Sequence, residues 1–153
     1  MANNIADKFI GALSELESER DAELIVSLFD GNCEVINVAA TEIFRGTEGA
    51  RRFWTNYREG FKDVCSVFQN ETYSDNNAAL EWTTEGNNKN GQKIRYVSVG
   101  IIETKDEKIT RFYAYFGTKN LGRRTTEREN GGGSQIRVYN KLVESAGSAR
   151  VHR

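Results

Sequence analysis

Residues 28–54 read LFDGNCEVINVAATEIFRGTEGARRFW, and the fold follows from the way this stretch changes its period. Cys33 to Val38 alternates as a strand does, with Cys33, Val35 and Asn37 on the inward parity. Thr41 to Arg45 stays extended until Gly46 breaks it. Thr47 then stands where a cap is needed, ahead of a helix that gathers Ala50, Phe53, Trp54, Tyr57 and Phe61 on one broad aromatic face.

On the N-terminal side, Ile5, Phe9, Ala12, Leu13 and Leu16 form a stripe at helical spacing opposed by Asp7, Lys8, Glu15 and Glu17. That is an amphipathic helix, with Glu17 assigned to its wet face. Asp21 can cap a second, short helix whose Leu24, Ile25, Leu28 and Phe29 turn inward, with Gly31 as a left-handed stop. On the C-terminal side, Ser66–Tyr73, Ala78–Glu85, Gln92–Thr104 and Ile109–Thr118 are rich in β-branched and aromatic residues. Short turns at Asp75-Asn76-Asn77, Asn90-Gly91 and Lys105-Asp106-Glu107 fold them back as a meander. The order helix, helix, strand, helix and four strands predicts an α+β domain, its helices covering one face of a curved sheet with room for a cavity between.

The chain has 153 residues, the size of one domain, with 21 basic and 22 acidic side chains. Residues 1–121 hold 14 basic and 19 acidic groups, and residues 122–153 hold 7 and 3. An acidic body argues against a nucleic-acid partner. The run Gly131-Gly132-Gly133-Ser134 has linker composition, so the domain is expected to span residues 1–121, followed by a basic Gly-rich linker and tail over 122–153. No apolar run approaches the ~20 residues of a membrane span, and no secretory leader is legible at the start, which together predict a cytoplasmic protein. Cys33, Cys65 and a single histidine, His152, offer neither a metal-ligand spacing nor a histidine triad, so no metal and no cofactor are expected.

The order of elements, the stretch 28–54 and the closing RFYAYFGTKNL of residues 111–121 resemble the SnoaL-like family of the nuclear-transport-factor-2-like superfamily. The resemblance covers residues 4–121 and implies a cone-shaped, curved antiparallel or mixed sheet covered by three helices of the N-terminal half, the cystatin-like or SnoaL-like α+β barrel. Ketosteroid isomerase, of the same superfamily, supplies the sharpest comparison. Its general-base aspartate falls on Asn37, its oxyanion-hole tyrosine on Phe9 and its second oxyanion-hole acid on Gly100. An amide does not abstract a proton near neutral pH, and neither a phenyl ring nor glycine donates a hydrogen bond. Dienolate chemistry of that kind is disfavoured.

With its phase fixed by the resemblance, the alternation brings Trp82, Tyr96, Ser98, Phe112 and Phe116 inward with Asn37, facing Phe9, Leu13, Trp54 and Tyr57 from the helices. Rings with a few neutral dipoles and no ionised group at the base suit a small aromatic or polycyclic apolar molecule. Should the domain be an enzyme instead, a cofactor-independent isomerase, cyclase or hydrolase, then Asn37 and Tyr96 would orient substrate and Glu42, at the cone mouth, would be its base. Both cysteines are expected to be buried. Tyr113 and Tyr115 have outward parity, and by analogy with the superfamily that sheet face forms a homodimer. A third reading makes the cone an assembly or adaptor module that offers residues 135–146 to a protein partner.

Overall fold

In this computed structural model residues 2–116 are described, and side chains from residue 4 onward. Helix α1, Ala2–Glu19, buries Ile5, Phe9, Ala12, Leu13 and Leu16, the stripe its sequence spells out. Asp21 accepts the Glu23 amide through Oδ1 at 2.9 Å and starts the single turn of α2, Glu23–Val26. Ile25 and Val26 are buried there, but Leu24 is 50% exposed, contrary to the inward placement expected for it. Gly31 does not stop this helix either. It lies inside β1, Phe29–Asn37, without a positive φ, and the chain leaves α2 through Ser27, whose hydroxyl donates to the Leu24 carbonyl at 2.6 Å.

Strand β2, Glu42–Arg45, pairs antiparallel with β1 and ends at Gly46, whose φ of 70° only glycine adopts cheaply. Helix α3, Gly46–Glu59, follows at once, so Thr47 lies within its first turn and not at the cap; Arg45 holds that position. Phe61 was expected on this helix. Instead the Gly60 amide bonds back to the Asn56 and Tyr57 carbonyls, the helix ends, and Phe61 opens β3.

Strands β3 (Phe61–Tyr73), β4 (Asn77–Asn88), β5 (Lys93–Lys105) and β6 (Lys108–Phe116) form the antiparallel meander. Asp106 and Glu107, with φ of 51° and 60°, make the two-residue turn between β5 and β6. Strand β1 then lies parallel to β6, giving one mixed sheet in the order β2-β1-β6-β5-β4-β3. Among the described residues the sheet is open, with β2 and β3 at its edges, and the helices pack on its inner side.

Three cross-strand rows on that inner face position the site. Asn37, Ala114, Gly100 and Leu80 are in register; so are Phe116, Ser98, Trp82 and Phe68; so are Tyr96, Thr84 and Ser66. The face therefore grades from apolar to polar along the strands. Gly100 is where it must be smallest, because a Cβ there would come within 2.8 Å of the Phe112 ring and 3.0 Å of Trp82. The basic tail, including residues 135–146, lies outside the described residues.

Candidate functional site

Helices α1 and α3 lay their aromatic faces on the middle row. Phe9 stands 5.6 Å from Trp54 and 5.4 Å from Phe112 between ring centroids, and Phe53 stands 4.8 Å from Trp54. Edge-to-face packing at these separations is how rings fill an interior. Most of the space under the helices is filled accordingly. Among the described residues a chamber of about 20 Å³ is left there, lined by Leu13, Phe53, Trp54, Tyr57, Trp82, Ser98, Phe112 and Phe116, with Val99 and Ala114. That volume accommodates roughly one water molecule. The chamber lies beside the last residues of β6, beyond the point where β1 stops pairing at Asn37 with Ala114.

Polar atoms in this wall are unequally served. Trp54 Nε1 and Ser98 Oγ are buried without a hydrogen-bond partner among the described residues, and so is Asn37 Oδ1. A buried polar group left unpaired costs about 1–3 kcal/mol. Asn37 is half-buried on the row next to Ser98, and Glu42 faces it across the β1–β2 ladder. Glu42 itself is exposed at the rim, with Arg52 at 3.8 Å. Tyr96 lies two rows from Asn37, its ring 5.7 Å from that of Phe116. Burial holds the Tyr96 phenol well above its usual range, so it stays protonated and is a poor base. Of the residues singled out from the sequence, the structure gathers Leu13, Trp54, Tyr57, Trp82, Ser98, Phe112 and Phe116 around one chamber. Phe9 packs behind them, and Asn37, Tyr96 and Glu42 stand at increasing remove.

One residue overturns its sequence assignment. Glu17 is not on the wet face of α1 but 5% exposed, facing the polar row. Its Oε2 accepts from the Tyr57 hydroxyl at 2.7 Å and from the Ser66 hydroxyl at 2.6 Å, and its Oε1 accepts from the Ser66 amide at 2.9 Å. Ser66 Oγ stands 2.9 Å from Thr84 Oγ1, and Thr84 is in register with Tyr96 across the β4–β5 ladder. An acid thus sits directly behind the Tyr57 wall of a chamber expected to have no ionised group at its base. Burial, with Tyr96 and Glu17 adding to it, pushes the Tyr57 phenol far above its ordinary value. The spacing carried the signal: Ile5, Phe9, Leu13 and Glu17 follow one another at four-residue steps, which places Glu17 on the buried stripe.

Arg58 was missed in the same way. It lies four residues after Trp54, is 5% exposed, and donates to the Glu17 backbone carbonyl and to the Phe61 carbonyl at 3.0 Å each. It satisfies the last turn of α1, where intrahelical donors run out. Cys33 is buried, with its thiol pushed up chiefly by that burial, whereas Cys65 is exposed on the outer face, contrary to expectation. No group of three or more acidic, histidine or cysteine side chains suited to a metal occurs among the described residues. No helix among them is long and apolar enough to cross a membrane.

Comparison with known proteins agrees with this architecture. No curated protein matches the sequence. Among solved structures, an NTF2-like protein from Anabaena variabilis superposes with a TM-score of 0.70 at 15% identity, over 76% of this chain and 89% of that one. TerC, co-crystallized with polyporic acid, gives 0.66 at 15% identity over 78% and 95%. A hypothetical protein with ketosteroid isomerase-like fold from Catenulispora acidiphila, in complex with trimethylamine, gives 0.65 at 14% over 76% and 88%. At such identities the likeness is one of fold. The SnoaL-like domain model matches residues 10–112, from the middle of α1 into β6, and the chain belongs to the SnoaL-like domain family.

Proposed function

We propose that this domain is a pocket protein that holds a small, flat, mostly apolar molecule between α1, α3 and the inner sheet face. The observation that carries the reading is the pair of buried, unpartnered polar atoms, Trp54 Nε1 and Ser98 Oγ, in the wall of an otherwise apolar chamber. Buried polar atoms are nearly always paired, so two unpaired ones in one wall call for a partner from outside the protein. The chamber is water-sized, so a ligand enters by displacing rings. Phe116, half-buried at the end of β6 and beyond the last β1 pairing at Ala114, is the ring placed to move. Fold relatives crystallised with polyporic acid or trimethylamine fit a binding role for this interior.

The outer sheet face supports a second property of the same protein, a homodimer. Ile36, Tyr113, Ile101 and Ala79 make one row across four strands of that face, with Val99 and Tyr115 beside it and Val67 64% exposed at the edge strand. Thermal denaturation in the presence of flat aromatic compounds, polyporic acid among them, tests the pocket. A ligand at 100 times its Kd adds about 2.7 kcal/mol to the native state. Stabilisation by such compounds, lost on filling the water-sized chamber with Ser98→Thr, is the expected result. A melting temperature indifferent to every one of them would sink the reading.

A further inference from the structure

The two edges of the sheet are not equally protected. Strand β2 is four residues long with a charge at each end, Glu42 and Arg45, and short charged strands resist foreign pairing. Strand β3 is 13 residues long, and side chains from the helical region hold the backbone of its first half only. Arg58 donates to the Phe61 carbonyl at 3.0 Å, Arg20 donates to the Lys62 carbonyl at 2.8 Å, and Glu17 Oε1 accepts the Ser66 amide at 2.9 Å. Beyond Ser66, no side chain among the described residues bonds the backbone of residues 67–73. All of these except Phe68 are exposed, Val67 at 64% and Tyr73 at 40%.

This open half is also acidic. Residues 63–88 include Asp63, Glu71, Asp75, Glu81 and Glu85 and no lysine, arginine or histidine. Glu71 and Glu81 accept from Tyr73 and Asn70, and neither they nor Asp75 has an ion-pair partner among the described residues. The chain carries its own complement. Residues 122–153 hold 7 basic and 3 acidic side chains. Within them, residues 135–141 read QIRVYNK and alternate at the period of a strand, with Ile136 and Val138 on one parity and Arg137, Tyr139 and Lys141 on the other. The bulge between Phe68 and Asn70 puts Val67, which opposes Thr83, and Glu71, which opposes Leu80, on opposite faces of β3. An added strand can therefore set its apolar parity beside Val67 and its basic parity beside Glu71. Reach is ample, because β3 lies three strand spacings from β6, about 14 Å, and residues 117–134 can span about 60 Å.

We propose that residues 135–141 of the chain's own tail add to the open half of β3, residues 67–73, as a seventh strand. Backbone bonds to the bare edge hold the segment, and the pairing of basic tail with acidic hairpin selects it. The addition also changes what the sheet shows to other chains. An edge of unpaired backbone becomes one that bears Arg137 and Lys141, and basic side chains discourage further strands.

Hydrogen exchange on the intact chain tests this amide by amide. The amides of residues 67–73 that do not bond β4 are expected to exchange about tenfold or more slowly than an unpaired peptide, at every protein concentration. Neighbouring residues of a strand send their N–H groups to opposite sides, so one of Val138→Pro and Tyr139→Pro removes a donor aimed at β3. That variant should return the edge amides to the unpaired rate while the Ser66 amide, held by Glu17, does not move. Arg137→Glu combined with Lys141→Glu should speed edge exchange roughly two- to fivefold, and adding Glu71→Lys should restore part of the protection. Edge amides that exchange freely in the parent chain, or protection unmoved by both proline variants, overturn the proposal. Protection that grows with protein concentration also overturns it, because a second copy then fills the edge.

Discussion

Removing the Glu17 carboxylate should destabilise the domain as few surface acids could. In Glu17→Ala the Tyr57 hydroxyl, the Ser66 hydroxyl and the Ser66 amide lose their acceptor together, bonds of 2.7, 2.6 and 2.9 Å. Each stranded buried donor costs about 1–3 kcal/mol, and because the three share one acceptor and relax together, a total of about 3–5 kcal/mol is expected. For a domain of this size that lowers Tm by roughly 10–20 °C. Urea unfolding followed by tryptophan fluorescence suits the measurement, since Trp54 and Trp82 are both buried. Glu15→Ala, on the exposed side of the same helix, is the control and should stay within about 0.5 kcal/mol of the parent. Glu17→Gln keeps the volume and an acceptor for the Ser66 amide, so it should fall between the two. Tyr57→Phe made in both backgrounds should cost less once Glu17 is gone. A Glu17→Ala loss no larger than that of Glu15→Ala would refute the reasoning, because it would mean that the carboxylate is not the acceptor these groups depend on.

Gly100→Ala should destabilise by about 1–3 kcal/mol in the same assay, because its Cβ would meet Phe112 and Trp82 at 2.8 and 3.0 Å; a neutral change would mean the inner rings yield freely. Ellman's reagent should titrate Cys65 at once and Cys33 only on unfolding, since the first is exposed and the second is buried with its thiol pushed up. Tyr57 and Tyr96 keep their protons in the folded state to higher pH than in the unfolded chain. Their contribution to stability is therefore complete below pH ~10 and is lost as pH rises beyond it, while the unfolded chain ionises first. Spectrophotometric titration should show tyrosinate absorbance lagging in the native protein and completed by urea.

Strand phase was the most legible part of the fold. The inward set from Val35 to Phe116 is buried or half-buried throughout, because a period of two leaves no intermediate choice once one residue is assigned. Helix faces were harder at their ends. Glu17 and Arg58 sit on buried stripes, but their charge argues for water, and only the partners supplied by β3 and by the end of α1 reverse that preference. Gly31 and Phe61 misled for a different reason. A glycine or an aromatic residue states what a position tolerates, whereas the strand that claims it is decided by pairing with distant β6 and β4. For the site, residue types on each row could be read from the sequence; the near closure of the chamber could not, since it depends on how the rings stack.

The parallel ladder between β1 and β6 joins Val35 to Phe112 and Asn37 to Ala114, near opposite ends of the domain. Such a pairing cannot form on the ribosome until almost the whole domain has emerged. Until then β1 can use only its short hairpin partner β2, and one flank of its backbone stays open to foreign strands. The order of synthesis thus makes the nascent first third of this domain its most aggregation-exposed intermediate, and the arrival of β6 the step that ends the exposure.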